Sequence, residues 1–134
     1  MVEVEVADMS TNMRYIVDTT SDLKVYELLG FRVVMHPSPG FAALERDGVR
    51  LFLNVPGGGG GAGQPVGGRM PQPGGWNRIQ IEVDSLDATL ARLSAAGVAI
   101  RGDVVEGIGG RQALVEDASK NPIELFEPAP PRSS

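Results

Sequence analysis

The chain has 134 residues, a formal net charge of −5, 18 glycines, 10 prolines and no cysteine. That length suits one domain with a real core, and 42% apolar with 22% charged residues is ordinary for a globular fold. The missing cysteines exclude disulfides and Cys-ligated metal, an acidic balance without clustered Lys and Arg argues against nucleic acid, and no apolar run is long enough to span a membrane. No basic, apolar leader opens the sequence, so a cytoplasmic location is expected.

Residues 1–11 read as an extension or extra strand, from the Val/Glu alternation at Val2–Val6. A first unit spans 12–55. Asn12–Asp18 is a strand by its Tyr, Ile and Val content. Thr20 or Ser21 is placed to cap a short helix with Leu23, Tyr26 and Leu29 on one face, and Gly30 ends it. Phe31–Met35 is a second strand, and Pro37–Gly40 a turn. Phe41–Glu45 and Val49–Val55 form a hairpin over Arg46-Asp47-Gly48.

Residues 56–75 break this pattern with a glycine tract and three further prolines beyond Pro56 spaced along it. A segment so poor in side chains has little to bury against its ordering entropy, so a flap or a spacer is expected. The tract satisfies Gly-x-Gly-x-x-Gly trivially, and without a following helix it is no nucleotide loop.

A second unit spans 76–127. Asn77–Val83 is a strand. Asp84 or Ser85 caps a helix in which Leu86, Leu90 and Leu93 share a face, and Gly97 stops it. Val98–Ile100 is a strand and 103–110 a glycine-containing turn region. Gln112–Glu116 and Pro122–Phe126 are the last strands, joined by Asp117–Asn121. Residues 128–134 form a Pro- and Ser-rich tail.

The two units repeat. Val17-Asp18 matches Val83-Asp84, Leu29-Gly30-Phe31 matches Ala96-Gly97-Val98, and Gly40 matches Gly110. Ala43-Leu44 matches Ala113-Leu114, and Arg50-Leu51-Phe52 matches Glu124-Leu125-Phe126. The fold class is therefore α+β, with two βαβββ modules packed together.

Three stretches resemble one family. They are Tyr26 through Leu29-Gly30-Phe31, Val83-Asp84-Ser85-Leu86-Asp87, and the ending Glu116–Phe126, which is similar to an Asp-Pro-x-Gly-Asn-Pro-x-Glu-Leu closing pattern. The pattern is that of the vicinal oxygen chelate superfamily, which includes glyoxalases, bleomycin-resistance proteins and extradiol dioxygenases. The resemblance covers residues 12–127. It implies curled mixed sheets around a shared pocket, and a homodimer.

Metal-using members of that family carry His and Glu ligands on the first and last strand of each module. Read onto this chain, those positions fall near Asn12, Arg50, Arg78 and Glu124, and only Glu124 keeps a ligand type. An arginine cannot ligate. The resemblance therefore implies a small-molecule pocket without the usual metal, in which Arg50 pairs with Glu124 and no cofactor is expected. A divalent-metal lyase, isomerase or dioxygenase is the second reading, and a non-catalytic interaction subunit the third.

Trp76 opens the second unit and either stacks on a flat ligand or plugs the core. Tyr15, Met13, Phe52 and Gln80 are candidate pocket walls. His36 is the one histidine. Before Pro37 it reads first as a turn residue, with a base or metal-ligand role as the other reading. No catalytic residue is assigned: there is no second His and no Gly-x-Ser-x-Gly elbow.

Overall fold

The computed structural model describes residues 10–58 and 60–130, so the Val/Glu alternation at 2–6 lies outside the described residues. The first module contains β1 (Met13–Ile16), α1 (Lys24–Leu28), β2 (Arg32–Ser38), β3 (Phe41–Arg46) and β4 (Val49–Asn54). The second contains β5 (Ile79–Glu82), α2 (Leu86–Ala95), β6 (Ile100–Glu106), β7 (Gly110–Glu116) and β8 (Pro122–Pro128). The sheets have orders β1-β4-β3-β2 and β5-β8-β7-β6. In each, the first and last strands are parallel and the other pairs antiparallel. This is the α+β arrangement of two βαβββ modules that the repeat implies.

Strand alternation gives each sheet one apolar face. In the first sheet it carries Ala42, Leu44, Leu51 and Leu53, and in the second Ile79, Ile81, Ala113, Val115, Ile123 and Leu125. These faces merge with Tyr26, Leu86 and Leu93 of the helices into one core. α1 has only five residues, too few to hold alone. It is held by buried Val25 and Tyr26, the latter edge-on to Phe31 with ring centroids 5.8 Å apart.

Both helices close on a glycine with positive φ, Gly30 at 92° and Gly97 at 82°. Phe31 N bonds Tyr26 O, and Val98 N bonds Leu93 O, each at 3.0 Å, as in a Schellman ending. The N-termini differ. Ser85 caps α2 through Ala88 N at 3.1 Å. α1 has no side-chain cap at its N-cap position. Thr20 instead donates to Pro39 O at 2.8 Å, and Ser21 bonds Thr19, so the expected capping role of either is corrected.

Two other expectations also shift. β2 continues through Pro37 to Ser38, which narrows the turn to Pro39-Gly40, and β6 takes up 100–106, which narrows the other turn to Gly107–Gly109. Both are edge strands with mostly exposed residues, so neither shows the alternation that marks a half-buried strand. An edge position also accommodates Pro37.

The modules are joined by the turn Asp117–Asn121. Asp117, 6% exposed, accepts from Tyr26 Oη (2.6 Å), Ser119 N (2.9 Å), Asn121 N (2.8 Å) and Asn121 Nδ2 (2.9 Å). Asn121 Nδ2 also donates to Ile16 O at 2.7 Å, and Asp18 N donates to Ser119 Oγ at 2.7 Å. Lys120 completes the turn at φ 68°, a left-handed conformation costly for a residue with a Cβ. Lys120→Gly is expected to raise stability by about 0.5–1 kcal/mol, read as a higher midpoint in thermal unfolding.

The described ends of the 56–75 segment are hydrogen-bonded to the modules or to themselves. Gly57 N bonds Gly63 O at 2.7 Å and Gly58 N bonds Val55 O at 2.9 Å, around a short 3₁₀ turn at Gly61–Gly63. A Cβ on Gly63 would lie 2.4 Å from Val55 O, so only glycine permits this closure. At the far end, Gly74 N donates to Asn121 Oδ1 at 2.7 Å. The segment expected to be a flap or a spacer is thus tied at both ends through its backbone N–H groups, which a count of apolar side chains does not reveal.

Candidate functional site

The faces opposite the core hold the candidate site. In the second sheet, register places Glu124 between Gln80 and Leu114, and Arg101 beside Leu114. Glu116, two residues along β7, shares this face. Arg78, two residues before Gln80, falls on it too.

Glu124 is buried at 7% exposure. Its Oε1 accepts from Arg78 Nε (3.0 Å) and Nη2 (2.9 Å), and its Oε2 from Gln80 Nε2 (2.6 Å). Three donors on one carboxylate offset its removal from water. Arg78 Nη1 also reaches Trp76 O at 3.2 Å.

Trp76 is 69% exposed, which corrects the reading of a core plug. The Arg101 guanidinium lies 4.9 Å from the centre of its ring. Arg101 donates to Glu116 Oε2 (2.9 Å), Gly75 O (2.7 Å) and Lys120 O (2.9 Å). It therefore locks the end of the long loop, and the indole with it, against the second sheet. Trp76, Arg101, Glu116 and Lys120 line a cleft of about 680 Å³ whose other wall is Met70–Gly74. Volumes of this order suit small organic ligands.

The structure brings together Arg78, Gln80, Glu124 and the Trp76 backbone, and separates the others. Arg50 sits at the start of β4, 3.7 Å from Glu45, with a side chain 56% exposed, and makes no contact with Glu124. The repeat explains why. Val17 N bonds Asn54 O and Val83 N bonds Phe126 O, so Phe52, not Arg50, is the counterpart of Glu124. The expected alignment was displaced by two residues, a shift that preserves strand parity and so leaves the pattern unchanged.

Tyr15 and Met13 face the core side, not the pocket. Tyr15 Oη donates to Pro122 O at 2.9 Å and accepts from Ile79 N at 2.8 Å, bridging the modules. Burial pushes its pKa up to about 12. Asn12 is exposed just before β1. His36 Nε2 meets Thr20 Oγ1 at 2.9 Å, a bond that ties the end of β2 to the chain ahead of α1. The sequence pattern does not mark Arg101, because it ends the strand at Ile100 ahead of a turn at 103–110, whereas β6 continues and pairs Arg101 across to β7.

The donor set does not fit a divalent cation. The four family positions become Asn12, Phe52, Arg78 and Glu124, and a permanently charged guanidinium occupies the one carboxylate among them. Among the described residues no three His, Cys, Asp or Glu side chains converge. Among them also, no helix is long and apolar enough to cross a membrane.

No family model matches the chain, and no curated protein matches it. Solved structures do. Protein ATC0852 from Agrobacterium tumefaciens is 22% identical over 91% of this chain and 100% of its own, with a TM-score of 0.71. The fosfomycin resistance protein FosX from Listeria monocytogenes is 15% identical, covering 96% of each chain, at 0.65. A lactoylglutathione lyase from Agrobacterium tumefaciens is 14% identical over 90% of this chain and 93% of its own, at 0.66. The chain shares its two-module α+β fold with these three structures.

Proposed function

We propose that this chain, built on the vicinal oxygen chelate fold, binds a small planar molecule bearing a carbonyl or anionic group on the exposed face of its second sheet. One observation carries the reading. An indole that is 69% exposed is held in place by an arginine stacked on its ring, at the mouth of a cleft of about 680 Å³. An immobilised aromatic ring offers stacking at small entropic cost. Arg78 and Arg101 supply N–H donors beside it, and Glu124 holds Arg78 in a fixed orientation.

The reading is of binding without a resident divalent metal, because the guanidinium of Arg78 fills the place where the ion would contact Glu124. Titration of tag-free protein with nickel, manganese, zinc and ferrous iron is expected to give no stoichiometric complex. A one-to-one complex lost in Glu124→Gln would instead favour a metal-dependent lyase or dioxygenase.

Trp76 is the single tryptophan of the chain, so its emission reports on the site directly. A panel of planar aromatic carbonyl compounds is expected to contain members that quench it saturably. Trp76→Ala, followed by calorimetry with the best of them, is expected to weaken binding at least tenfold, the scale of one lost stacking contact. Unchanged affinity in that variant would reject the site.

A further inference from the structure

The first module carries a different chemistry on its corresponding face. Register places Arg14 beside Phe52, and Asn54 beside Phe41. The Phe41 and Phe52 ring centroids are 5.8 Å apart, and the Arg14 guanidinium lies 5.0 Å over Phe52. Arg14 Nη1 donates to Asn54 Oδ1. The turn Gly60–Ala62 closes over these residues and roofs a cavity of about 370 Å³, whose remaining wall is Pro37-Ser38.

The contrast with the second module lies in charge balance. Arg78 and Arg101 each pair with a glutamate. Among the described residues Arg14 has no acidic partner. Its counterpart on the second sheet is Gln80, and the counterpart of Glu124 beside it is the apolar Phe52. One N–H of the fork is taken by Asn54, and the rest have no partner among the described residues. A cation placed over an aromatic wall, at the edge of an apolar cavity, lacks only an anion.

We infer that this cavity is a second binding site, separate from the Trp76 cleft, for a small aromatic carboxylate. The carboxylate oxygens would take the remaining N–H groups of Arg14, a charge-assisted arrangement that a guanidinium favours geometrically. The ring would lie against Phe41. The roof is the backbone of Gly60 and Gly61 with the methyl group of Ala62, so the ring meets no large side chain there. That gives the glycine tract a role: side chains in its place would fill the cavity.

The test uses benzoate as probe, with benzamide as its uncharged counterpart, followed through backbone amide shifts in the full chain. Saturable shifts at Ser38, Phe41, Asn54 and Gly61 are expected with benzoate. Affinity should fall at least tenfold for Arg14→Gln, and benzamide should bind wild type at least tenfold more weakly than benzoate. Gly61, which has open space at its Cβ position, gives a second variant: Gly61→Val should block benzoate without unfolding the chain. Absence of shifts at saturating benzoate would overturn the inference, as would equal affinity in Arg14→Gln or equal binding of benzamide. Shifts confined to residues around Trp76 would also overturn it, while leaving the proposed cleft intact.

Discussion

Asp117→Ala is expected to lower the unfolding free energy by about 3–5 kcal/mol, a large part of the total that holds a domain of this size. The carboxylate accepts four hydrogen bonds, and its partners come from both modules. Removing it leaves the hydroxyl of Tyr26, 1% exposed, without an acceptor, and an unpaired buried group costs its full desolvation. The same change frees the turn whose Asn121 and Ser119 reach Ile16 and Asp18. Urea denaturation measures the loss. Tyr26→Phe alone should cost less, and a double-mutant cycle of the two should show coupling above about 1 kcal/mol. A loss below about 1 kcal/mol for Asp117→Ala would mean that the turn does not weld the modules.

Alkaline pH is expected to act through the same junction. The chain has two tyrosines, and both are held protonated. Burial raises Tyr15 to about 12. Tyr26 is raised further, first by burial and then by the charge of Asp117 and its hydrogen bond to that carboxylate. In the unfolded chain both titrate near pH 10. The folded state therefore keeps protons that the unfolded state releases. Their contribution to stability is complete below about pH 10 and is lost as pH rises above it. For Tyr26 the slope is about 1.4 kcal/mol per pH unit. Tyr15 adds less, because solvent screens it. Absorbance at 295 nm is expected to show no phenolate until the chain unfolds or the pH nears 12. A full transition near pH 10 with folded-state circular dichroism intact would refute the buried junction.

Much of this junction was legible in the sequence. The closing stretch Glu116–Phe126 was recognisable because a turn that spends its side chains on its own backbone tolerates few residue types. Its resemblance carried the fold, and the structure follows it. The function of Asp117 as the acceptor for Tyr26, 91 residues away, was not legible, since nothing local records a contact at that separation.

The pairing of Arg50 with Glu124 went astray for a related reason. Leu51-Phe52 and Leu125-Phe126 are identical dipeptides, so the repeat in sequence matches them to each other. The hydrogen-bond register sets Phe52 against Glu124 instead. Alternation fixes which face a strand residue occupies and says nothing of its position along the strand. The partner of Glu124 is Arg78, a candidate already, reached across a parallel strand pair.

The sequence by itself determined the number of modules, the order of their elements, the glycine endings of both helices and the hairpin over Asp47-Gly48. Each of these is written in periodicity and turn chemistry within a dozen residues. Only the tertiary structure decided which charges meet, that Trp76 stays outside the core with Arg101 against it, and that the glycine tract closes over Arg14. Those outcomes depend on strand register and on backbone approach between distant segments, and neither leaves a local pattern in the residues it joins.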